Sequence, residues 1–179
     1  CDNPLYAERH ALFSLQRARE YMEHGFLLVY SDLLFSQTLL ERLVQRDEDI
    51  VLACDNSYTY HKHAVDKELD LVVSRKSLDW PYRSLRPISV FELGRIGKEI
   101  DVAQADYEFT GMAHFSRHGA RAFLKIYDEW AESGSIPFHE AVSFERASIT
   151  DMLQEMIDRG IPVHGLEISK GWMEVHNLE

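Results

Sequence analysis

Asp32 follows directly on five apolar residues, Phe26-Leu27-Leu28-Val29-Tyr30. A carboxylate at the rim of a buried strand is a hard-oxygen donor suited to Mg²⁺, which takes one or two such ligands and keeps waters or phosphates for the rest. A turn or helix-entry aspartate is the structural alternative, and pattern alone leaves both open. Glu174 and His176 alternate on an extended segment, so their side chains share a face. They add metal ligands if that strand lies beside Asp32, and otherwise decorate a solvated edge. In Tyr107-Glu108-Phe109-Thr110-Gly111, Glu108 and the bare backbone of Gly111 could meet a ligand hydroxyl. A β-bulge with a surface glutamate fits the same pattern. His61 and His63 have alternate spacing that zinc can use, but no third and fourth ligands stand out, so a solvated pair is the simpler assignment. Gly94-Arg95-Ile96-Gly97-Lys98 lacks the spacing of a phosphate loop and reads as a turn between strands. Asp151 falls in the first turn of a helix, where a carboxylate stabilises the dipole. Substrate binding is its sharper role. Ser14 has no local base or elbow motif, so it is not a candidate nucleophile.

The elements that must position these residues follow from periodicity. Ala11, Leu15, Ala18 and Met22 predict a helix from Tyr6 to His24, stopped by Gly25. Phe26–Tyr30 reads as a central strand covered on both faces. Ser36 caps a helix with Leu39, Leu40, Leu43 and Val44 inward. Ile50–Cys54 is a second buried strand, so strand, helix and strand form a βαβ unit with a right-handed crossover. Residues 57–86 read as an inserted loop or lobe over the sheet edge, holding a short strand at Leu69–Val73. Ile88–Ile96 and Ile100–Phe115 look extended, and Arg117–Trp130 helical. Ile149, Met152, Leu153, Met156 and Ile157 define a last helix, capped by Ser143 and ended by Gly160 and Pro162. Val163–Ile168 and Trp172–His176 are closing strands. The expected fold is an α/β three-layer sandwich on a mostly parallel, mixed sheet, with ligands beyond the carboxyl ends of the strands.

The totals narrow the class. The chain has 179 residues, 45% hydrophobic and 27% charged, enough for one domain with a core. A formal charge of −11 disfavours a nucleic-acid polymer as partner. No apolar run approaches membrane-spanning length. Two cysteines, Cys1 and Cys54, make no disulfide framework and fit a reducing, cytoplasmic setting. The opening Cys1-Asp2-Asn3-Pro4 reads like a strand exit, so a fragment of something longer is expected.

Taken in order, several stretches resemble the nucleotidyltransferases that activate phosphonates or phospho-alcohols, particularly the cytidylyltransferases associated with phosphoenolpyruvate mutase in phosphonate biosynthesis. They are Asn3–Glu8, Phe13-Ser14-Leu15, Ser31-Asp32, Leu69-Asp70-Leu71-Val72, Ile96-Gly97-Lys98, Tyr107–Ser116, Ser143–Gln154 and Gly171–His176. The resemblance implies a nucleotidyltransferase (GT-A/Rossmann-like) fold. It also implies Mg²⁺ on Asp32 with Glu174 or His176, and catalytic roles for Asp32 and Glu174. Ser14 and Ser31 would lie against the nucleotide, and Glu108, Gly111 and Asp151 in the acceptor pocket. The implied reaction joins CTP to a phosphonate or phosphate ester and releases pyrophosphate. A sugar-phosphate nucleotidyltransferase and a catalytically degenerate binding or regulatory domain are the alternatives. The family also implies a homodimer or fusion to a mutase domain. Two departures stand out. The family's L-x-A-G-x-G-x-R loop is absent and is expected before residue 1, so this chain alone should be inactive. The family's Glu-x-Asp ending reads Glu174-Val175-His176 here.

Overall fold

The computed structural model describes residues 1–4, 11–60, 67–75, 90–132 and 136–175. Its centre is β3 (Ile50–Asp55), a strand buried along its whole length. Strand periodicity divides β3 between two cores. Ile50, Leu52 and Cys54 enter one, and Val51 and Ala53 enter the other. The first core is filled by α1 (Ala11–Gln16), α3 (Arg117–Ala131) and α4 (Ile149–Asp158), and the second by α2 (Gln37–Val44). The expected three layers are therefore present.

The main sheet has the order β1-β6-β3-β7-β5-β4, with β1 Phe26–Val29, β4 Leu71–Ser74, β5 Val90–Gly97, β6 Tyr107–Phe115 and β7 His164–Ile168. It is mixed. β1, β3, β7 and β4 run one way, β5 and β6 the other, and the only parallel neighbours among the described strands are β3 and β7. β1 and β3 are joined through α2 and share a direction, but β6 lies between them, so they do not pair. β1 is also an edge rather than a central strand, with Leu27 38% exposed. An unbroken apolar run reports side-chain burial, and it carries no information about which backbone edge is paired.

Other boundaries shift for local reasons. The first helix is short and passes into a 3₁₀ turn at Arg19–Tyr21 before Gly25, whose φ of +99° makes the exit. Gly94–Gly97 forms the end of β5, not a turn. Ser148, not Ser143, caps α4, because its hydroxyl and the Asp151 carboxylate close a reciprocal capping box. Ser36 caps α2 as expected. β4 comes from the segment expected to be an insert, and it pairs with both β5 and β6. A second, two-stranded ribbon joins β2 (Leu33–Phe35) to β8 (Trp172–Glu174).

Candidate functional site

Asp32 sits in the turn between β1 and β2, where the Leu33 N–H donates to the Tyr30 carbonyl at 3.3 Å. The Asp32 side chain is exposed. Its own carbonyl accepts from the Val175 N–H at 2.8 Å, and the ribbon register sets Leu33 opposite Glu174. The terminal strand therefore lies beside Asp32, which brings Asp32 and Glu174 to one end of the ribbon. Ser31 is exposed in the same turn. His176, His61 and His63 lie outside the described residues.

Beneath the ribbon is a cluster that no sequence motif announced. Lys67 Nζ lies 2.8 Å from Glu108 Oε1 and 2.7 Å from Glu174 Oε2, with the three side chains 13%, 3% and 19% exposed. The ammonium also sits 5.6 Å from the centre of the Trp172 ring. Burial alone would lower the Lys67 pKa, but the hydrogen bonds and charges of Glu108 and Glu174 outweigh it and raise it. Glu108 is thus a buried ion-pair partner rather than a surface residue. The Trp172 indole N–H donates to Asp55 Oδ2 at 3.1 Å, and Asp55 Oδ1 accepts from the Ser57 N–H and hydroxyl. Asp55, fully buried at the carboxyl end of β3, repeats the placement of Asp32 after β1. That repetition is the signal by which sequence could have found it.

Asp70 precedes β4 and is largely buried. Its Oδ1 has no hydrogen-bond partner among the described residues. Burial pushes its carboxyl pKa up to about 6; Lys98 opposes the rise, and Glu108, Glu140 and Glu174 add to it. Burial, followed by the charges of Asp70, Asp32 and Glu174, raises the Tyr30 hydroxyl in the same way. Tyr30, Asp32, Asp70, Glu108 and Glu174 therefore share one electrostatic neighbourhood at the carboxyl rim of β1 and β3.

Gly111 shapes that rim. Its φ is +82°, it lies where the β3–β6 register shifts, and its carbonyl accepts from the Tyr30 N–H at 3.1 Å. A Cβ there would lie 2.5 Å from the Tyr30 ring. The bulge is real, and it seats Tyr30.

The remaining candidates lie apart. Asp151 Oδ2 accepts from the Ser148 N–H and hydroxyl at 2.7 and 2.6 Å, and Oδ1 accepts from the Glu140 N–H at 2.9 Å. Both oxygens are thus committed to the entry of α4. Ser14 lies exposed on α1 and accepts from Asn3 Nδ2 at 2.8 Å. A hollow of about 600 Å³ lined by Asp49, His118, Arg159 and His164 opens at the opposite, amino end of β3 and β7 and holds none of the candidates.

Among the described residues, no three His, Cys, Asp or Glu side chains are gathered as a metal-holding group. Magnesium bound with a nucleoside triphosphate needs fewer protein ligands, because phosphate oxygens and water complete its shell. Asp32 and Glu174 are hard-oxygen donors of the right kind; the β2–β8 register brings their backbones to one end of the ribbon, and the Glu174 carboxylate is paired with Lys67. Among the described residues, no helix is long and apolar enough to cross a membrane.

No protein-family model matches the chain, and no curated protein matches it. Solved structures do. The inositol-1-phosphate CTP transferase from T. maritima aligns with 98% of this chain and 59% of its own at 20% identity, with a TM-score of 0.63. The CTP:phosphocholine cytidylyltransferase from Streptococcus pneumoniae aligns with 98% of this chain and 62% of its own at 12% identity and 0.65. A glucose-1-phosphate thymidylyltransferase described as putative, from Bacillus anthracis, gives 93%, 56%, 13% and 0.54 in the same order. The chain thus spans about three-fifths of the length of these structures. At such identities the likeness concerns architecture: the chain has the mixed α/β fold seen in nucleotidyltransferases.

Proposed function

We propose that the protein takes part in magnesium-dependent nucleotidyl transfer, from CTP in preference, to a small phosphonate or phosphate ester with release of pyrophosphate. The observation that supports this is the pairing of β2 with β8, which runs the backbones of Asp32 and Glu174 side by side beyond the carboxyl end of β1. The fold likeness to two CTP-using transferases supports it.

In the proposed reaction an anionic oxygen of the acceptor attacks the α-phosphorus in line. The bond to the bridging oxygen of the β-phosphate breaks, and pyrophosphate leaves with that electron pair. The nucleophile is already an anion, so no strong general base is needed. The obstacle is the approach of two anions. Asp32 and Glu174, with His176 a further candidate, would hold a magnesium ion, which would supply neutralisation of the α-phosphate charge. Asp32, exposed in its turn, meets the incoming nucleotide, with Ser31 beside it. Glu108 and the Gly111 bulge form the floor of the acceptor side. Glu108 is paired with the Lys67 ammonium, so an acceptor that carries its own ammonium group, as aminophosphonates do, would take the place of that cation. Asp151, committed to the α4 cap, is left out of that pocket.

The test, made on the full-length protein, is pyrophosphate release from CTP, UTP and dTTP with 2-aminoethylphosphonate, phosphocholine and hexose 1-phosphates as acceptors. Asp32→Asn should reduce release at least ~100-fold, the scale of one lost charge-stabilising group, without lowering the melting temperature. Wild-type rates in Asp32→Asn would remove the proposal.

A further inference from the structure

Lys67 has no part in the scheme above, yet it sits at the centre of the cluster. Its ammonium bridges Glu108 on the main sheet and Glu174 on the ribbon, at 2.8 and 2.7 Å. Glu108 is buried and Glu174 half-buried, and two carboxylates in such a place repel unless a cation lies between them. Trp172 covers the ammonium, and its own hydrogen bond to Asp55 holds the ring in position. Glu174 is thus drawn under the ribbon toward Glu108, while its backbone stands next to Asp32. One carboxylate therefore has two claims on it: the lysine below and, under the proposed function, a divalent metal at the ribbon's end.

We infer that Lys67 is a positioning residue for Glu174, a tethered cation whose ammonium competes with the divalent metal for that carboxylate. The inference rests on the assignment of Glu174 as a metal ligand. With Lys67 in place, Glu174 binds metal weakly until the lysine withdraws. Removing the ammonium takes the shared cation from between Glu108 and Glu174, and a metal then both relieves their repulsion and gains a ligand. The lysine is long enough to turn from the carboxylates to an arriving phosphate, so its release places a positive charge where the triphosphate needs one.

The experiment reads metal binding rather than turnover. Mn²⁺ affinity is measured from the free-ion paramagnetic resonance signal, and melting temperature is recorded in chelator and in Mn²⁺. Lys67→Met should bind Mn²⁺ more tightly than wild type, on the order of tenfold, the scale on which residues behind a ligand tune metal affinity. Its melting temperature should fall in chelator and recover with Mn²⁺. Lys67→Arg should behave as wild type, and Lys67→Met/Glu174→Gln should lose the recovery. If Lys67→Met folds poorly, Lys67→Met/Glu108→Gln, which removes the repulsion, should still bind Mn²⁺ more tightly than wild type. Wild-type Mn²⁺ affinity in Lys67→Met and in Lys67→Met/Glu108→Gln, with weakened affinity in Asp32→Asn, overturns the lysine's role and leaves the metal site standing. Affinity unchanged in Asp32→Asn and Glu174→Gln overturns the metal assignment itself.

Discussion

The Trp172 indole donates a hydrogen bond to the buried Asp55 carboxylate at 3.1 Å, and so ties the small ribbon to the carboxyl end of the central strand. Trp172 also roofs the Lys67 ammonium. Replacing it by phenylalanine keeps an aromatic surface but removes the hydrogen bond that Asp55 Oδ2 accepts from the indole. Loss of a hydrogen bond to a buried charged group costs about 1–3 kcal/mol. Trp172→Phe should therefore lower the unfolding free energy from denaturant titration by that amount, and Asp55→Asn should not add to it fully, because the two residues share one interaction. Additive losses in a double-mutant cycle would show that the ribbon is held by something else.

Gly111→Ala should be costly for two reasons. The backbone there has a φ of +82°, and the added methyl would meet the Tyr30 ring at 2.5 Å. A left-handed residue with a Cβ costs about 1–2 kcal/mol, and overpacking a filled site about 1–3 kcal/mol. Urea denaturation should show a loss in that combined range. A loss under half a kilocalorie would mean that Tyr30 moves aside freely.

Asp70 gives a pH signature. Its folded carboxyl titrates at about 6, above the ordinary aspartate value, so the folded state holds its proton more tightly than the unfolded chain. That group makes the protein less stable as pH rises from about 4 to about 6, and the penalty is complete above it. Asp70→Asn should therefore raise stability at pH 7.5 by about 1–3 kcal/mol, with the gain shrinking to nothing near pH 4. The difference between the two stability–pH curves is the measurement, and a pH-independent difference would contradict the raised carboxyl.

Asp151→Ala should act on stability alone. It opens the capping box and leaves the Glu140 N–H without its acceptor. Loss of an N-terminal cap interaction costs about 0.5–2 kcal/mol. The melting temperature should fall while KM for 2-aminoethylphosphonate stays unchanged; a raised KM would return Asp151 to the acceptor pocket.

Sequence was most informative where side-chain periodicity and backbone pairing coincide. Residues 50–55 show their burial in their own pattern, and α3 and α4 are visible from their apolar stripes. It was least informative where pairing depends on remote residues. Nothing in Phe26–Tyr30 says that Phe115 to Met112 will run antiparallel beside it. In the same way, Asp32 and Glu174 could be nominated singly, and their neighbourhood required the β2–β8 register. Lys67 was missed because its segment lacks periodicity and its partners lie on two other strands. Asp151 carried both a structural and a functional assignment in sequence; its hydrogen bonds place it in the structural one.

The insertion of β6 between β1 and β3 has a consequence for how this chain acquires its shape. Neither of the earlier strands can pair with the other, because residues 107–115 fill the gap between them. During synthesis the first half of the molecule must wait, with its apolar strand surfaces uncovered, until that later strand emerges and bridges both. Long-range pairing of this kind slows folding and leaves exposed edges open to self-association. Conditions that delay residues 107–115 should therefore divert the nascent chain toward aggregates, well before any chemistry at the rim is at stake.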